Sequence, residues 1–421
     1  MKNFQDRLMK FLLPIANKLE QQKHLQAIKD GMIATVPIII IGSFSIMFLG
    51  IGNLLGSGAI SDFLSANMHI FTFPTAFTSD MLAVYATFFI AKALSERYDL
   101  RGSQPAITAV VFFLIVAGTI SEGKMDVAYL GSTGLFTGIL VALVAVEIYH
   151  FCEKHNLTIR MPDSVPPMVQ NSFASLIPLL LNVILAVAIY FISMGTQGVV
   201  FPQIIMNLLS PAISTMDSLS ALLIVIFLSQ LLWFFGLHGP SITSAVWAAF
   251  AISYGAENIA AYNAGNPVTH IFTFGFFYAI LQVTGSGLTL GLNLLMMRSK
   301  AKSFNSVGKV ALIPGIFGIN EPLIFGTPII LNPFMFIPFV FGPLIITVIA
   351  FFAMKSGLVG MPIANPPGFL PPGLGAFLMT LDFKAVILVF VLLLIMTLIY
   401  LPFFKAMEAE ELKKEMEMSE N

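Results

Sequence analysis

The sequence predicts an all-α integral membrane protein with about ten transmembrane helices, two re-entrant hairpins and interfacial amphipathic helices. Of the 421 residues, 57% are hydrophobic and only 10% are charged, whereas soluble domains average about 25% charged residues. No Lys or Arg occurs between Met161 and Met297, and a water-facing surface of that length would carry several. Eleven of the 24 prolines lie between Pro314 and Pro372, which predicts that regular helices are interrupted there.

Ten apolar runs approach the roughly 20 residues that a helix needs to cross a bilayer. They lie near 32–51, 75–95, 105–121, 130–151, 172–195, 218–237, 239–255, 270–297, 332–354 and 383–404. We expect no cleavable signal peptide, because a charged segment precedes the first run. With the N-terminus inside, 18 of the 21 Lys and Arg residues fall on the same side of the membrane, which predicts that both termini are cytoplasmic.

Three segments lie outside these spans. In residues 1–31, apolar side chains recur at helical spacing between Lys and Gln. This pattern predicts a helix that lies in the membrane interface or one that packs against the ends of other spans. Residues 198–217 form a weaker amphipathic connector, and residues 405–421 form an acidic cytoplasmic tail.

The prolines of the C-terminal half mark two candidate re-entrant hairpins, near 314–331 and 361–380. Short apolar segments interrupted by Pro and Gly are typical of transporter binding sites. If one hairpin enters from each side of the membrane, the two would meet near its middle. The alternatives are a cytoplasmic loop for the first segment and a Pro-rich outer loop for the second.

Glu321 lies in the first of these hairpins and is the only charged residue between Lys309 and Lys355. A carboxylate at the centre of a bilayer costs about 2.5–3.5 kcal/mol on insertion scales. Irregular backbone is tolerated at that depth only when protein buries it or when it lines a wet cavity. Glu321 is therefore predicted to mark a polar substrate site.

Three further residues complete the candidate polar site. His238 lies in a Gly-Leu-His-Gly-Pro break between two spans, where it would bind substrate or cap backbone carbonyls. Trp233 would stack on a sugar ring or anchor the helix at the interface, and Asn320 adds a donor and an acceptor. These groups together can pair a sugar hydroxyl, which both donates and accepts. The absence of Lys and Arg from 310–354 argues against an anionic substrate.

The remaining ionisable residues favour structural or solvated roles. Asp80 and Glu147 fall near span ends, Glu257 and His270 flank an outer loop, and Cys152 is expected to be an inert thiol at a helix end. The sequence has no metal-binding motif, no Walker A motif and no Gly-x-Ser-x-Gly elbow. We expect no cofactor and no nucleic-acid partner.

At these residues the sequence resembles the membrane-embedded EIIC subunit of bacterial sugar phosphotransferase systems, in the lactose/cellobiose/diacetylchitobiose family. The motifs that carry the resemblance are Ala-Ile-Lys-Asp-Gly-Met (27–32), Arg-Met-Pro-Asp-Ser-Val-Pro-Pro (160–167), Phe-Ala-Ser-Leu-Ile-Pro (173–178), Leu-His-Gly (237–239) and Gly-Ile-Asn-Glu-Pro-Leu-Ile-Phe-Gly (318–326). The 160–178 and 318–326 blocks together are specific, whereas Leu-His-Gly alone would mean little. The resemblance covers nearly the whole chain.

The resemblance implies ten spans with two hairpins in a bacterial cell membrane. It also implies a dimerisation half at 32–197 and a substrate-binding half at 218–404, which holds one disaccharide and moves by alternating access. Glu321 and His238 match the family's substrate contacts. Asn320, Trp233, Asn365 and Gly368 are expected to line the same site.

The resemblance also implies partner proteins. A soluble EIIB, phosphorylated on cysteine and supplied indirectly by EIIA, would phosphorylate the sugar on the cytoplasmic side, so no phospho-acceptor is expected in this chain. The basic loop from Arg298 to Lys309 would receive EIIB or remain a solvated loop. Two alternatives stay open: an ion-coupled secondary transporter that uses Glu321 as a proton carrier, and a non-transporting receptor.

Overall fold

The computed structural model describes Pro14, Lys18 and residues 21–55, 58–100, 103–121, 123–162, 164–327 and 329–420. Within these ranges the protein is helical apart from loops and one antiparallel pair of two-residue strands, β1 (Ile120–Ser121) and β2 (Lys124–Met125). The prediction of an all-α membrane fold is therefore confirmed. The predicted interfacial helix at 1–31 lies mostly outside the described residues.

The chain forms two compact units. The N-terminal unit comprises Lys18–Thr215 and Ala248–Gly265, and the C-terminal unit includes Met216–Trp247 and Asn266–Asn421. Residues 248–265 lie within the predicted substrate-binding half of the sequence, and in the structure they group with the N-terminal unit. The assignment of dimerisation and substrate binding to separate halves stays a prediction.

The N-terminal unit is built from nine helices of the described residues and from part of a tenth. These helices are α1 (Lys23–Leu55), α2 (Ala59–Ala66), α3 (Met68–Ala76), α4 (Leu82–Arg97), α5 (Gln104–Ala117), α6 (Leu135–Lys154), α7 (Pro167–Ala174), α8 (Leu176–Gln197) and α9 (Phe201–Met216), with α11 (Gly239–Asn263) divided between the units. Glycines allow close packing here: Gly31 of α1 lies against Ile90 of α4, and Gly138 of α6 lies against Thr87. Small residues let membrane helices approach closely where no hydrophobic effect drives them together.

A polar network joins α1, α4 and α6. His24 Nε2 lies 2.7 Å from Glu147 Oε1, and the Tyr98 hydroxyl donates to the same oxygen at 2.5 Å. Burial, followed by the hydrogen bond and the negative charge of Glu147, raises the pKa of Tyr98 to about 12, so the hydroxyl keeps its proton. Glu147 therefore has a structural role, as the sequence predicts.

The α8 helix differs from its neighbours in burial. Only 17% of its most apolar 18-residue stretch is buried within this chain, so most of its side chains face outward. One stripe at helical spacing stays exposed: Leu180, Ile184, Val187 and Phe191. Lipid or another protein surface must cover this stripe.

The C-terminal unit holds the broken segments. Its helices are α10 (Leu219–Phe234), α12 (Phe274–Phe276), α13 (Leu290–Met297), α14 (Lys302–Ile316), α15 (Glu321–Gly326), α16 (Pro333–Lys355), α17 (Leu374–Thr380) and α18 (Phe383–Glu420). Among the described residues, six helices are long and apolar enough to cross a membrane, or seven if the bent pair α9–α10 forms one span. The other predicted spans correspond to α5, to α11 and to the interrupted segment at 270–297.

That interrupted segment is the clearest departure from the predicted spans. After α12 the helix widens into one π turn at Phe277–Leu281, and the chain then leaves helical geometry until Leu290. Gly285 and Gly287, both at φ +83°, supply the left-handed conformation that this turn needs. The polar residues of the turn are buried, among them Gln282, Thr284, Ser286 and Thr289. Such backbone is tolerated in a membrane protein when protein surrounds it.

Both predicted hairpins contain non-helical chain. The first is helical up to Ile316, then turns at Phe317–Asn320 into the short α15. Pro314 is accommodated in the last turn of α14, close to where the helix ends. The second has no regular secondary structure from Gly360 to Pro371, before the turn that leads to α17, and Met379 O accepts hydrogen bonds from Ile363 N and Ala364 N. The side of the membrane from which each enters stays a prediction.

Candidate functional site

Two breaks in the C-terminal unit bring His238 and Glu321 together. His238 follows α10 at a turn in which Gly236 has φ +84°, and Glu321 is the first residue of α15. Leu331 N, beyond the end of α15, donates to Phe234 O at 3.0 Å. This bond ties the chain after α15 to the end of α10, so the two polar side chains face each other.

The hydrogen-bond partners of His238 indicate which ring nitrogen carries its hydrogen. Nδ1 accepts from the backbone N–H of Ser241 at 3.2 Å. A nitrogen that accepts a hydrogen bond carries no hydrogen, so the neutral ring has its N–H at Nε2. Nε2 lies 3.7 Å from Glu321 Oε1. The pair therefore presents a donor facing an acceptor.

The separation of 3.7 Å exceeds a hydrogen-bond length, yet it suits a hydroxyl oxygen placed between the two groups. Such an oxygen can lie about 2.8 Å from each group, accepting from the imidazole and donating to the carboxylate. Both side chains are accessible, with 51% of His238 and 42% of Glu321 exposed. This arrangement can bind a ligand hydroxyl through its donor and its acceptor capacity together.

Trp233 packs directly against this pair. Its ring centroid lies 4.6 Å from that of His238 and 6.1 Å from that of Phe325 on α15. The indole is only 2% exposed, so its faces are covered by protein. In this structure Trp233 packs against the imidazole as part of the surrounding protein.

Three buried polar groups around this cluster have no protein hydrogen-bond partner among the described residues. They are Glu321 Oε2, Trp233 Nε1 and both amide atoms of Gln230, which lies one turn before Trp233 on α10. An unsatisfied buried polar group costs about 1–3 kcal/mol. The cost is relieved when water or a polar ligand supplies the missing bonds. Gln230 was not predicted from the sequence, because a single uncharged amide in an apolar helix gives little signal.

Asn320 is adjacent in sequence but its amide is already engaged. Its Nδ2 donates to Ser286 O at 2.7 Å and to Thr289 Oγ1 at 2.8 Å. A Cβ added at Gly285 would collide with the Asn320 side chain. Asn320 therefore connects the start of α15 to the buried turn at 282–289. The Thr-Gly-Ser-Gly sequence at 284–287 was the available signal for this turn.

Asn365 and Gly368 lie on the irregular Pro-rich segment before α17. Asn365 is buried, whereas Gly368 is exposed and faces open space. The neighbouring Ala364 and Pro366 pack beside Gly275 at the start of α12. The structure thus brings His238, Glu321 and Trp233 into one cluster, and Asn320 beside it. Asn365 and Gly368 belong to a second segment of the same unit.

Comparisons with known proteins identify the family. The family model described as "Phosphotransferase system, EIIC" matches residues 29–343. The lichenan permease IIC component of Bacillus subtilis (strain 168) is 34% identical, with 96% of this chain and 93% of that protein aligned. The lactose-specific EIICB component of Lactococcus lactis subsp. lactis is 32% identical, with 96% of this chain and 72% of that protein aligned.

A solved structure shares the fold along almost the whole chain. The crystal structure of the transporter ChbC, the IIC component from the N,N'-diacetylchitobiose-specific phosphotransferase system, matches with a TM-score of 0.89 at 32% identity. The match covers 97% of this chain and 99% of that one. With broken apolar helices around an accessible polar pair, the chain is a multi-pass membrane protein and belongs to the phosphotransferase system EIIC family.

Proposed function

We propose that this protein is the permease subunit of a phosphotransferase system, and that it carries a β-linked disaccharide such as diacetylchitobiose or cellobiose by alternating access. Membership of the EIIC family supports the transport class. The names of its relatives support the sugar class, because lichenan, lactose and diacetylchitobiose all contain β-linkages. The same family membership disfavours a transporter driven by a proton gradient.

The facing pair of His238 and Glu321 is the observation that carries this proposal. A sugar hydroxyl accepts from His238 Nε2–H and donates to Glu321 Oε1, which lie 3.7 Å apart. A solute without such a hydroxyl leaves these groups unpaired, and desolvating unpaired polar groups is costly. The site therefore favours polyols over apolar solutes.

The other predicted site residues have supporting roles in this proposal. Trp233 holds the imidazole in place, and Asn320 holds the start of α15. Asn365 and Gly368 line the site from the Pro-rich segment, and the exposure of Gly368 is compatible with this role. Substitution of Asn365 by Ala would test the contribution of that segment to sugar binding.

The transported sugar is phosphorylated by a partner. A separate EIIB, which receives its phosphoryl group from EIIA, transfers it from a cysteine sulfur to a sugar hydroxyl. The S–P bond breaks, an O–P bond forms, and the hydroxyl proton passes to the departing cysteine thiolate or to water. We place the protein in the cell membrane as a homodimer, with both termini in the cytoplasm, where EIIB acts.

Two measurements on the purified full-length protein test this proposal. Titration calorimetry against cellobiose, diacetylchitobiose, lactose and sucrose should show binding of at least one β-linked disaccharide and none of sucrose. In vesicles, accumulated sugar should be phosphorylated and should require EIIB, EIIA and phosphoenolpyruvate. Accumulation of unmodified sugar driven by a proton gradient alone would refute the phosphotransferase coupling.

A further inference from the structure

The α14 helix, which leads to Glu321, lacks a cap of its own. Ala301 precedes it, and no side chain of that residue accepts a bond from the first turn. Glu415 of α18 accepts instead, from Lys302 N and Ser303 N at 3.1 Å each. Glu411 accepts from the Ser303 hydroxyl at 3.0 Å. Carboxylates are favourable partners for the free N–H groups at a helix N-terminus.

A third glutamate extends this contact to the residues before α14. Glu408 Oε1 accepts from the Ser299 hydroxyl at 2.5 Å and from Lys300 N at 2.9 Å. Glu408, Glu411 and Glu415 are spaced by three and four residues, so they share one face of α18. Together they bind the backbone and hydroxyl groups of residues 299–303.

The same helix also reaches the segments that surround Glu321. The Tyr400 hydroxyl donates to Gly287 O at 2.9 Å, within the buried turn that holds Asn320. Met407 Sδ lies 3.2 Å from Asn332 Nδ2, beyond α15. Eight residues separate Tyr400 from Glu408, or about 12 Å along a helix. The single helix α18 therefore contacts the chain at the start of α14, at the buried turn that binds Asn320, and beyond the end of α15.

We propose that Glu408, Glu411 and Glu415 are positioning residues for the sugar site, acting through α14 on the placement of Glu321. This inference rests on the proposed function, because it assigns the three carboxylates a role in sugar binding. Glu321 must stand at a set distance from His238 to share one hydroxyl with it. Contacts that fix the axial position of α14 preserve that distance, and their loss lets the hairpin shift.

The test combines alanine and glutamine variants in the full-length protein. We expect Glu408→Ala with Glu415→Ala to weaken disaccharide binding about tenfold, since hydrogen bonds to charged groups are lost. The matched Gln pair keeps the acceptor oxygen that Glu408 uses but only one of the two that Glu415 uses, so it should recover part of the affinity. Glu410→Ala is the control, because Glu410 is exposed and pairs with Lys414 one turn later on the same helix.

Hydrogen exchange distinguishes a local change from a general loss of stability, because a general loss would raise exchange throughout the chain. Amides at 302–306 and 318–326 should exchange faster in the alanine pair, while amides of the N-terminal unit stay unchanged. Unchanged affinity and unchanged exchange in the alanine pair would overturn the inference. If the unsubstituted protein bound no disaccharide, the proposed function itself would fail, which is a different outcome.

A crosslinked variant keeps the inference testable if the alanine pair does not fold. Ser303→Cys with Glu411→Cys, in a protein where Cys152 is replaced by Ala, can be joined by a short thiol-specific crosslinker. We expect the linked protein to bind disaccharide within about twofold of the unlinked parent, a difference below about 0.5 kcal/mol. Loss of binding on linking would show that α14 must leave α18 to form the site, which contradicts the inference.

Discussion

His238 and Glu321 are predicted to act on one sugar hydroxyl, so their substitutions should not be additive. Each single change to Ala removes one hydrogen bond to the sugar. Loss of the bond to the charged Glu321 should cost about 1.5–3 kcal/mol of binding free energy, or roughly tenfold to a hundredfold in affinity. The double variant should lose far less than the sum, because the same hydroxyl is already mispaired. Calorimetric titration of the four proteins measures this coupling.

The prediction of non-additive losses at His238 and Glu321 needs a control variant. Glu257→Ala changes a carboxylate of the N-terminal unit and should bind sugar like the parent. Additive losses at His238 and Glu321 would indicate that the two side chains contact separate parts of the ligand.

Gly285 combines a backbone conformation that favours glycine with close contact to Asn320, which lies beside the candidate site. Its φ of +83° disfavours any side chain, and an added Cβ would collide with Asn320. Gly285→Ala should therefore displace the start of α15 and weaken sugar binding by at least tenfold. Gly357→Ala is the matched control, because Gly357 has φ +74° with open space around it. It should cost about 1 kcal/mol in stability and leave affinity unchanged.

The sequence predicts the residue types of the candidate site better than their roles. A lone carboxylate among apolar residues is conspicuous, and so is a histidine between glycines. The positions of Glu321 and His238 in the sequence carry no information about the 3.7 Å between them. Burial also decides the role of Trp233, which is a support in this structure, whereas a Trp in a sequence can equally be a stacking platform.

The helix interruptions that contain proline could be predicted from the sequence. The interruption in the 270–297 segment, which lacks proline, could not. Prolines mark both hairpins, because they remove an N–H donor and clash with the preceding turn. Residues 271–297 contain no proline and no charged residue, so their hydropathy is that of an unbroken membrane-spanning helix. The break is made by Gly285 and Gly287, and glycine is common in unbroken membrane helices too.

Tyr400 tests whether α18 supports the buried turn at 282–289. Tyr400→Phe removes the donor to Gly287 O, leaves that carbonyl unpaired and should cost about 1–3 kcal/mol in stability. Because the turn at 282–289 holds Asn320, sugar affinity should fall as well. Thermal unfolding and calorimetry measure the two effects separately.

Tyr254 provides a matched comparison for Tyr400. It is also fully buried and donates to a backbone carbonyl, that of Ile213, within the N-terminal unit. Tyr254→Phe should lower the unfolding temperature by a similar amount without a change in affinity. Equal losses of affinity in both variants would mean that the effect of Tyr400 is one of general stability.

For the whole molecule, the exposed stripe on α8 bears on assembly. Leu180, Ile184, Val187 and Phe191 need a cover, and the proposed homodimer places a second copy on the N-terminal unit. Ile184→Trp should then shift the protein in detergent toward monomer, as measured by light scattering, with sugar affinity unchanged. Leu394→Trp on α18 is the control, because Leu394 is also exposed. A stable dimer in the Ile184 variant would move the interface away from this stripe.

The lack of Lys and Arg in the sequence around Glu321 also bears on the binding of a phosphorylated sugar. A sugar phosphate carries about −1.5 to −2 charges near neutral pH, and residues 310–354 contain no Lys or Arg to offset them. Like charges repel strongly where the dielectric constant is low, so the site should reject its own phosphorylated sugar. Added sugar phosphate should therefore not compete with free disaccharide in a binding assay. We expect such rejection to keep the phosphorylated sugar from being carried back across the membrane.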